Sequence, residues 1–350
     1  MIVSRTPFRI SFFGGGTDYP AWYQKHGGSV LSATIDKYCY LTCRHLPPFF
    51  EHRFRVVYSN IENVRTIDEI IHPAAREILR TMKVDRGLEI HHDGDLPARS
   101  GMGSSSAFTV GLLHSLYALK GQIPSKQQLA LKSIEIEQEI LKENVGSQDQ
   151  VSAAYGGINH IAFLPNGEVV VKPLTLMRDR MIELNDHLML FYTGAKRTAS
   201  DVAGSYVKTL GERAQELSRV GQMVDEALSI LTSGSDLRAF GDLLHESWQI
   251  KRSLGGRVSN SIVDGIYEAA RMAGAVGGKL IGAGGGGFML LVVEPGRQAA
   301  VREKLRRLLH VPFRFEFSGS QIIFFTPEPD YSVEDEERRV RDEEIFTELA

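Results

Sequence analysis

The chain has 350 residues, of which 43% are hydrophobic and 24% charged, with a formal net charge of −3 at pH 7. That length accommodates about two domains, and the composition is that of an ordinary globular protein. With no lysine- or arginine-rich block it excludes nucleic-acid binding through bulk charge, and no stretch reaches the ~20 apolar residues of a membrane-spanning helix.

The N-terminus, MIVSRTPFRISFF, carries charges where an export signal needs an apolar core, so a cytoplasmic location is expected. IVSRTPFRISFF and SVLSATIDKYCYLTC read as two β-strands. Cys39 and Cys43, the only cysteines, are four apart in the second and share a face. Without His or Cys partners at zinc spacing they are read as reduced core residues. A helical pattern in TIDEIIHPAAREILRTM and a strand in LEIHHD follow. RSGMGSSSA then opens a helix, FTVGLLHSLYALKG.

The next helix, SKQQLALKSIEIEQEILKE, carries Ser125 and Gln128 as a capping box and is expected to run until Gly146 ends it. GGINHIAFLPNGEVVVKPL reads as a hairpin turning at Asn166-Gly167. After HLMLFYTG, residues from about 198 to 275 are mostly helical in pattern. KLIGAGGGGFMLLVVE enters a strand, VREKLRRLLH is a helix and QIIFFTP a last strand. These elements divide the chain into an N-terminal domain over 1–180, a C-terminal domain over 181–327 and a charged tail over 328–350, read as a solvated helix or frayed end.

Three glycine-rich segments stand out. GGGTDYP follows the first strand and ends in an acid, Asp18. In the third, Gly282, Gly284 and Gly287 spell G-x-G-x-x-G, but FMLLVVE after it is a strand, so the dinucleotide fingerprint fails. GAVGGKL is no Walker A loop either, because Leu280 follows its lysine. That segment must lie close to a ligand or to another stretch of chain. The second, PARSGMGSSSAFTVGLL, reads as a phosphate site or else a well-capped helix: a helix N-terminus offers unpaired N–H groups and a positive dipole end. Gly101 and Gly103 admit oxygens to the backbone and Ser104, Ser105 and Ser106 add hydroxyls, more than one helix cap requires.

On a helical wheel, Glu137 falls between two apolar stripes, one of Ala130, Ile134 and Leu141, the other of Leu129, Ile136 and Ile140. A carboxylate pointing inward needs a cation or hydrogen bonds. It is a structural ion pair or, with a phosphate loop nearby, a Mg²⁺ ligand. Asp149, in VGSQDQVSAAYGG, is alone only a cap or turn residue.

Together these pieces resemble the galactokinase, homoserine kinase, mevalonate kinase and phosphomevalonate kinase superfamily, the GHMP kinases. RTPFRISFFGGGTDY is similar to its first motif, PARSGMGSSSA to its phosphate loop and KLIGAGGGGF to its third, in the family's order over residues from about 3 to 326. The resemblance implies an α+β, two-domain GHMP kinase fold: a ribosomal protein S5 domain 2-like N-terminal domain with a left-handed crossover, and a ferredoxin-like C-terminal domain. ATP and substrate would meet between them. It implies ATP contacts from Pro97, Arg99, Ser100, Gly101, Met102, Gly103, Ser104, Ser105 and Ser106. Asp149 would orient or deprotonate the attacking hydroxyl, and Arg9 would stabilise the transferring phosphoryl group. Ser105 and Glu137 would hold Mg²⁺, with Ser106 the alternative in another loop register.

For the acceptor, Gly15 and Gly16 stand where galactokinases carry Glu-His, which would empty the pocket beyond Thr17 and Asp18 for a longer substrate. Asp18 would accept from two sugar hydroxyls, and Gly284, Gly285 and Gly286 would close on the substrate. GGGTD, GGSVLSATIDKY and YTGAKRTASD resemble the D-glycero-D-manno-heptose 7-phosphate 1-kinases, with fucokinases and other sugar 1-kinases as alternatives. A substrate phosphate would need cations, for which Lys196 and Arg197 are candidates, or else an exposed loop pair, with Arg99 named after them. The implied partner is a small sugar or sugar phosphate, with no nucleic acid or membrane, and a homodimer is possible in the family. A kinase-fold protein that only binds sugar would be marked by loss of Asp149, Arg9 or the serines, and all are present.

Overall fold

The computed structural model describes residues 1–98, 100–194, 213–255, 258–327 and 331–340. Strand β1 (Ile2–Phe13) leads through the first glycine segment into a short helix, α1 (Pro20–His26), and back as β2 (Gly28–His45). The two strands pair antiparallel from Ile2 opposite Cys43 to Phe13 opposite Leu31. Both cysteines are free and buried, as expected of core residues.

A hairpin of β3 (Phe54–Val57) and β4 (Ile61–Val64) precedes α2 (Pro73–Thr81), which starts at Pro73 with the His72 ring accepting from the Ala75 N–H. β5 (Leu88–Gly94) pairs with the second half of β2, and α3 (Ser104–Leu119) lies across β1 and β2. α3 is buried nearly all round from Ser106 to Leu113, the pattern of a central helix. α4 (Lys126–Glu135) begins with the capping box of Ser125 and Gln128.

Helix α4 does not continue to Gly146. It widens into a π turn over Ile136–Ile140, where the Leu141 N–H reaches back to the Ile136 carbonyl, and Lys142 at φ 54° turns the chain away. The Glu143 N–H then closes on the Glu137 carbonyl, which fixes Glu137 at the wide turn. α5 (Gln148–Tyr155) follows, then the hairpin β6 (Ile158–Phe163) and β7 (Val169–Pro173), with Gly167 at φ 87° in its turn.

The second sheet is built from α6 (Arg178–Asp186), β8 (Leu188–Tyr192), α7 (Ala214–Thr232), α8 (Leu237–Ser253), α9 (Ser261–Met272), β9 (Ala275–Leu280) and β10 (Phe288–Val293). Helix α10 (Gln298–Lys304) is shorter than the pattern VREKLRRLLH suggested, because β11 (Leu309–His310) is drawn out to pair with β8. The strand order is β11-β8-β10-β9, all antiparallel. Helix α8 crosses β9 so closely that a Cβ on Gly277 would lie 1.8 Å from the Gly241 carbonyl oxygen.

The chain then returns to the first sheet. β12 (Phe315–Glu316) pairs with β2 and β13 (Gln321–Phe325) with β1, so the last strand lies outside the second sheet, and a division at residue 180 has to give 315–325 back to the first. α11 (Ser332–Val340) begins the charged tail. At the end of β1 the Phe240 ring meets Phe12 and Phe13 edge-on, at 5.5 and 5.2 Å between centroids, and joins the two sheets beside the first glycine segment. Among the described residues no helix is long and apolar enough to cross a membrane.

Candidate active site

The second glycine segment leads into the N-terminus of α3. Gly101 and Gly103 take φ of 84° and 74°, and Gly103 holds the capping position, so no serine is needed as a cap. The Ser100 hydroxyl donates to the Pro97 carbonyl at 2.6 Å and Met102 is fully buried, which anchors the loop from both sides. Arg9, on β1, donates its backbone N–H to the Met102 carbonyl and Nη1 to the Gly101 carbonyl at 2.6 Å.

The rest of the Arg9 guanidinium meets Asp149. Nε donates to Oδ1 and Nη2 to Oδ2, each at 2.7 Å, a bidentate pair. Asp149 lies in the first turn of α5, not in a loop, so it is held by a helix at a dipole end suited to its charge. The Arg9 side chain is 5% exposed and that of Asp149 23%, which leaves the carboxylate a face open to a ligand. A Cβ on Gly103 would stand 3.5 Å from Asp149 Oδ2, so the pair touches the second glycine segment itself.

Behind the loop, Glu137 is fully buried. Its Oε2 accepts from the Ser106 hydroxyl at 2.8 Å and from Gln150 Nε2 at 2.5 Å, while Oε1 has no hydrogen-bond partner among the described residues. Burial pushes its carboxyl up to about 7, against the hydrogen bonds from Ser106 and Gln150. The reading of Glu137 as inward-facing holds, and no ion-pair partner meets it among the described residues. Ser105, expected beside it, is exposed; the neighbouring Ser106 faces Glu137 instead, because one residue along a helix turns the side chain by about 100°.

The first glycine segment differs from expectation. Asp18 is 1% exposed, and its carboxylate accepts from the Gly16 N–H, the Gln148 N–H and Gln148 Nε2. Burial, then the charge of Asp149, raises its pKa against those donors. It therefore braces the start of α5 and offers no open edge to sugar hydroxyls in this structure. Thr17 is buried too, donating to the Gly14 and Ser29 carbonyls. At Gly16 the missing side chain leaves no room for substrate: Leu217 of α7 lies 3.0 Å from where its Cβ would be. Gly15 is only half-buried, with the nearest atoms, Gln148 Nε2 and Ser11 Oγ, 3.7 Å from its Cβ position.

The third segment packs on the second. A Cβ on Gly282 would lie 2.5 Å from the Gly101 Cα, and one on Gly287 2.1 Å from the Ser100 carbonyl oxygen. Its glycines answer to another stretch of chain, as one of the two readings held. Gly284, Gly285 and Gly286 are buried, Gly284 against Val258 and Gly285 bonded to Val258 and Asn260. Arg99, Lys196 and Arg197 lie outside the described residues. Gln148, Gln150, Lys251 and Lys279 were not singled out; the only signal was a lysine inside the apolar strand AVGGKL.

A Gly101→Ala substitution should therefore be costly. Its Cβ would stand 2.5 Å from the Ile281 carbonyl oxygen, at a φ that side chains avoid. The expected loss is at least about 1–2 kcal/mol of stability from the backbone alone, read by thermal unfolding. Displacement of the loop should also lower kcat/KM for the nucleotide by about 100-fold.

A glycine loop at a helix N-terminus, a buried carboxylate behind it and an Arg–Asp pair on its rim are the parts of a phosphoryl-transfer enzyme. The sequence pattern of the GHMP kinases N terminal domain matches residues 69–157, and that of the GHMP kinases C terminal region matches residues 223–311. The chain belongs to the GHMP kinases, with the two-domain fold of that family.

It is 28% identical over 320 residues to the D-glycero-alpha-D-manno-heptose 7-phosphate kinase of Campylobacter jejuni, covering 87% of this chain and 93% of that one. Identity to the bifunctional fucokinase/GDP-fucose pyrophosphorylase of Arabidopsis thaliana is 25% over 334 residues, 89% of this chain but 31% of that larger protein. The crystal structure of a D-glycero-D-manno-heptose 1-phosphate kinase from Bacteroides thetaiotaomicron is similar with a TM-score of 0.77 at 25% identity, covering 93% of this chain and all of that one. The protein is a phosphotransferase that acts on a sugar hydroxyl.

Proposed function

We propose that this kinase transfers the γ-phosphoryl group of ATP to the anomeric hydroxyl of a sugar phosphate, D-glycero-D-manno-heptose 7-phosphate, giving the 1,7-bisphosphate. The observation that carries the chemistry is the bidentate Arg9–Asp149 pair lying against the phosphate loop. The triphosphate sits on the Gly101–Gly103 loop and the N-terminus of α3. The acceptor hydroxyl meets the open face of Asp149, which orients it and takes its proton as the acceptor oxygen bonds to the γ-phosphorus. The bond to the bridging oxygen breaks, and ADP leaves with that electron pair. Arg9, held by Asp149 and Gly101, balances charge on the transferring group.

The residues behind the loop fit Mg²⁺, which takes one or two carboxylates plus phosphate oxygens. Glu137 Oε1 is a buried carboxylate oxygen without a hydrogen-bond partner among the described residues, and the Ser106 hydroxyl is beside it. These two would hold the ion, which when bound offsets charge across the phosphates. Support for the acceptor comes from relatives named as heptose phosphate kinases over most of the chain.

The test is nucleotide turnover with a panel of sugars and sugar phosphates, with Asp149→Asn as control. Heptose 7-phosphate should give the highest kcat/KM, and the control should lose about a hundred- to ten-thousand-fold. Turnover of fucose or another free hexose, with the heptose phosphate inert, overturns the acceptor. Sugar binding without Mg²⁺-dependent ATP consumption overturns the kinase chemistry.

A further inference from the structure

Two lysines that take no part in the chemistry above reach into the seam between the sheets. Lys279, on β9, is 4% exposed and donates to the Phe12 carbonyl at the end of β1, at 2.8 Å. Lys251, near the end of α8, donates to the Leu280 carbonyl at 3.0 Å and to the Gly282 carbonyl, at the start of the third glycine segment. Neither amine makes an ion pair with a carboxylate among the described residues. A buried ammonium without a carboxylate is unfavourable unless something requires its charge and its donors.

What requires them is the backbone of the loops. The β1–β2 register shifts between Ser11 and Phe13, a bulge that leaves Phe12 outside the ladder, and it is the Phe12 carbonyl that Lys279 takes up. Lys251 does the same for the chain leaving β9. Next along that chain, Gly282 lies against Gly101 of the phosphate loop. So one ammonium ties β9 to the strand that carries Arg9, and the other grips the segment seated on the phosphate loop.

We propose that Lys279 and Lys251 are positioning residues for phosphoryl transfer, clasping the ends of β1 and β9 so that the third glycine segment stays seated on the phosphate loop. The proposal rests on the phosphate loop's being the nucleotide site. The clasp also adds positive charge beside that site. Lys279 faces Arg9, Asp18 and Lys251, and Lys251, which burial and then the Lys279 charge hold well below the usual lysine range, faces Lys279, Arg9 and Asp18, so three basic groups share the seam with Asp18. Burial, then the Arg9 charge, lowers the Lys279 ammonium to about 7, and bound phosphates oppose that shift. The empty enzyme thus loses the Lys279 charge as pH rises through about 7, and nucleotide holds it on to higher pH.

The experiment compares K279M, K279R and K251M with the unmodified chain. It measures melting temperature, hydrogen exchange of the amides in 100–103 and 281–287, kcat and KM for ATP, and kcat/KM against pH. K279M should fold, exchange those amides about tenfold faster and lose about 100-fold in kcat/KM, a loss of alignment. K279R, which keeps a charge that does not titrate in this range, should recover to within about tenfold and lose the fall in kcat/KM above neutral pH. K251M should raise exchange in 281–287.

Activity of K279M within about threefold of the unmodified chain overturns the proposal, being too little for a lost alignment. So does unchanged loop exchange in K279M and K251M, or an alkaline fall that persists in K279R. Should K279M not fold, K279R and K251M decide by the same readings. If the unmodified chain turns over no sugar in the panel, the acceptor assignment fails, while loop exchange still decides the clasp.

Discussion

Arg9→Met is expected to lower kcat by about 10³- to 10⁵-fold, the range in which an arginine acts on a transferring phosphoryl group. Arg9 makes three side-chain hydrogen bonds, two to Asp149 and one to the Gly101 carbonyl, so its removal unties α5 from the second glycine segment at one point. Asp149 would keep its place in α5 but lose the fork that sets its orientation. Because the Asp149 side chain is 23% exposed, water can meet the orphaned carboxylate, and the stability loss should be about 1–3 kcal/mol, below that of a fully buried pair. Arg9→Lys keeps the charge but not the bidentate geometry and should fall between the two. Steady-state kinetics beside thermal unfolding separate the effects. Arg9→Met within tenfold of the unmodified kcat would remove Arg9 from the mechanism.

Glu137→Gln should have the second-largest effect, and its sign depends on what is bound. In the empty protein the Glu137 carboxyl is raised from 4.5 to about 7 by burial. Between those values the folded chain holds a proton that the unfolded chain has lost, so this group's contribution to stability falls as pH rises and levels off above about 7. The contribution amounts to roughly 3 kcal/mol at most. Glu137→Gln removes it, so the empty variant should melt no lower than the unmodified chain at pH 8, with a flatter profile from pH 4.5 to 7.

With Mg²⁺ and nucleotide the order reverses, since only the ionised carboxylate can hold the ion. The variant should then lose at least about 100-fold in activity, more than an outer partner of a metal ligand costs. Metal-dependent nucleotide binding by the unmodified chain should weaken as pH falls below about 7. A Glu137→Gln chain that binds Mg²⁺-nucleotide normally would assign Glu137 a packing role alone.

Much of this site was readable from local pattern. The β-rich run of β1, the capping box at Ser125 and Gln128 and the inward position of Glu137 are properties of short segments, where propensity, period and cap chemistry act within a few residues. The π turn after Glu135 was not readable, because α4 and α5 both pack on α3 and the helix ends where that packing requires, not at Gly146. The acceptor side was the least legible. Asp18 was expected to be a sugar ligand from the resemblance of GGGTD to the family's first motif; its neighbours in space are Gln148 and Gly146, 128 to 130 residues away, and they enclose it. Likewise the space spared at Gly16 is taken by Leu217, on a helix that no local pattern connects to the first motif.

The sequence by itself determined the elements and the chemical groups: a glycine- and serine-rich segment opening a helix, an inward carboxylate, an arginine before a glycine turn and an acid in GSQDQ. Each follows from spacing within one or two turns of chain, or from an ordered set of motifs. Only the tertiary structure decided which serine faces Glu137, that Arg9 and Asp149 form one pair, and that the third glycine segment seats on the second. Those depend on how α3, α5 and β9 dock around β1. Docking is set by side-chain volume and close backbone contact between segments far apart in the chain, where a shift of one residue exchanges one hydroxyl for another.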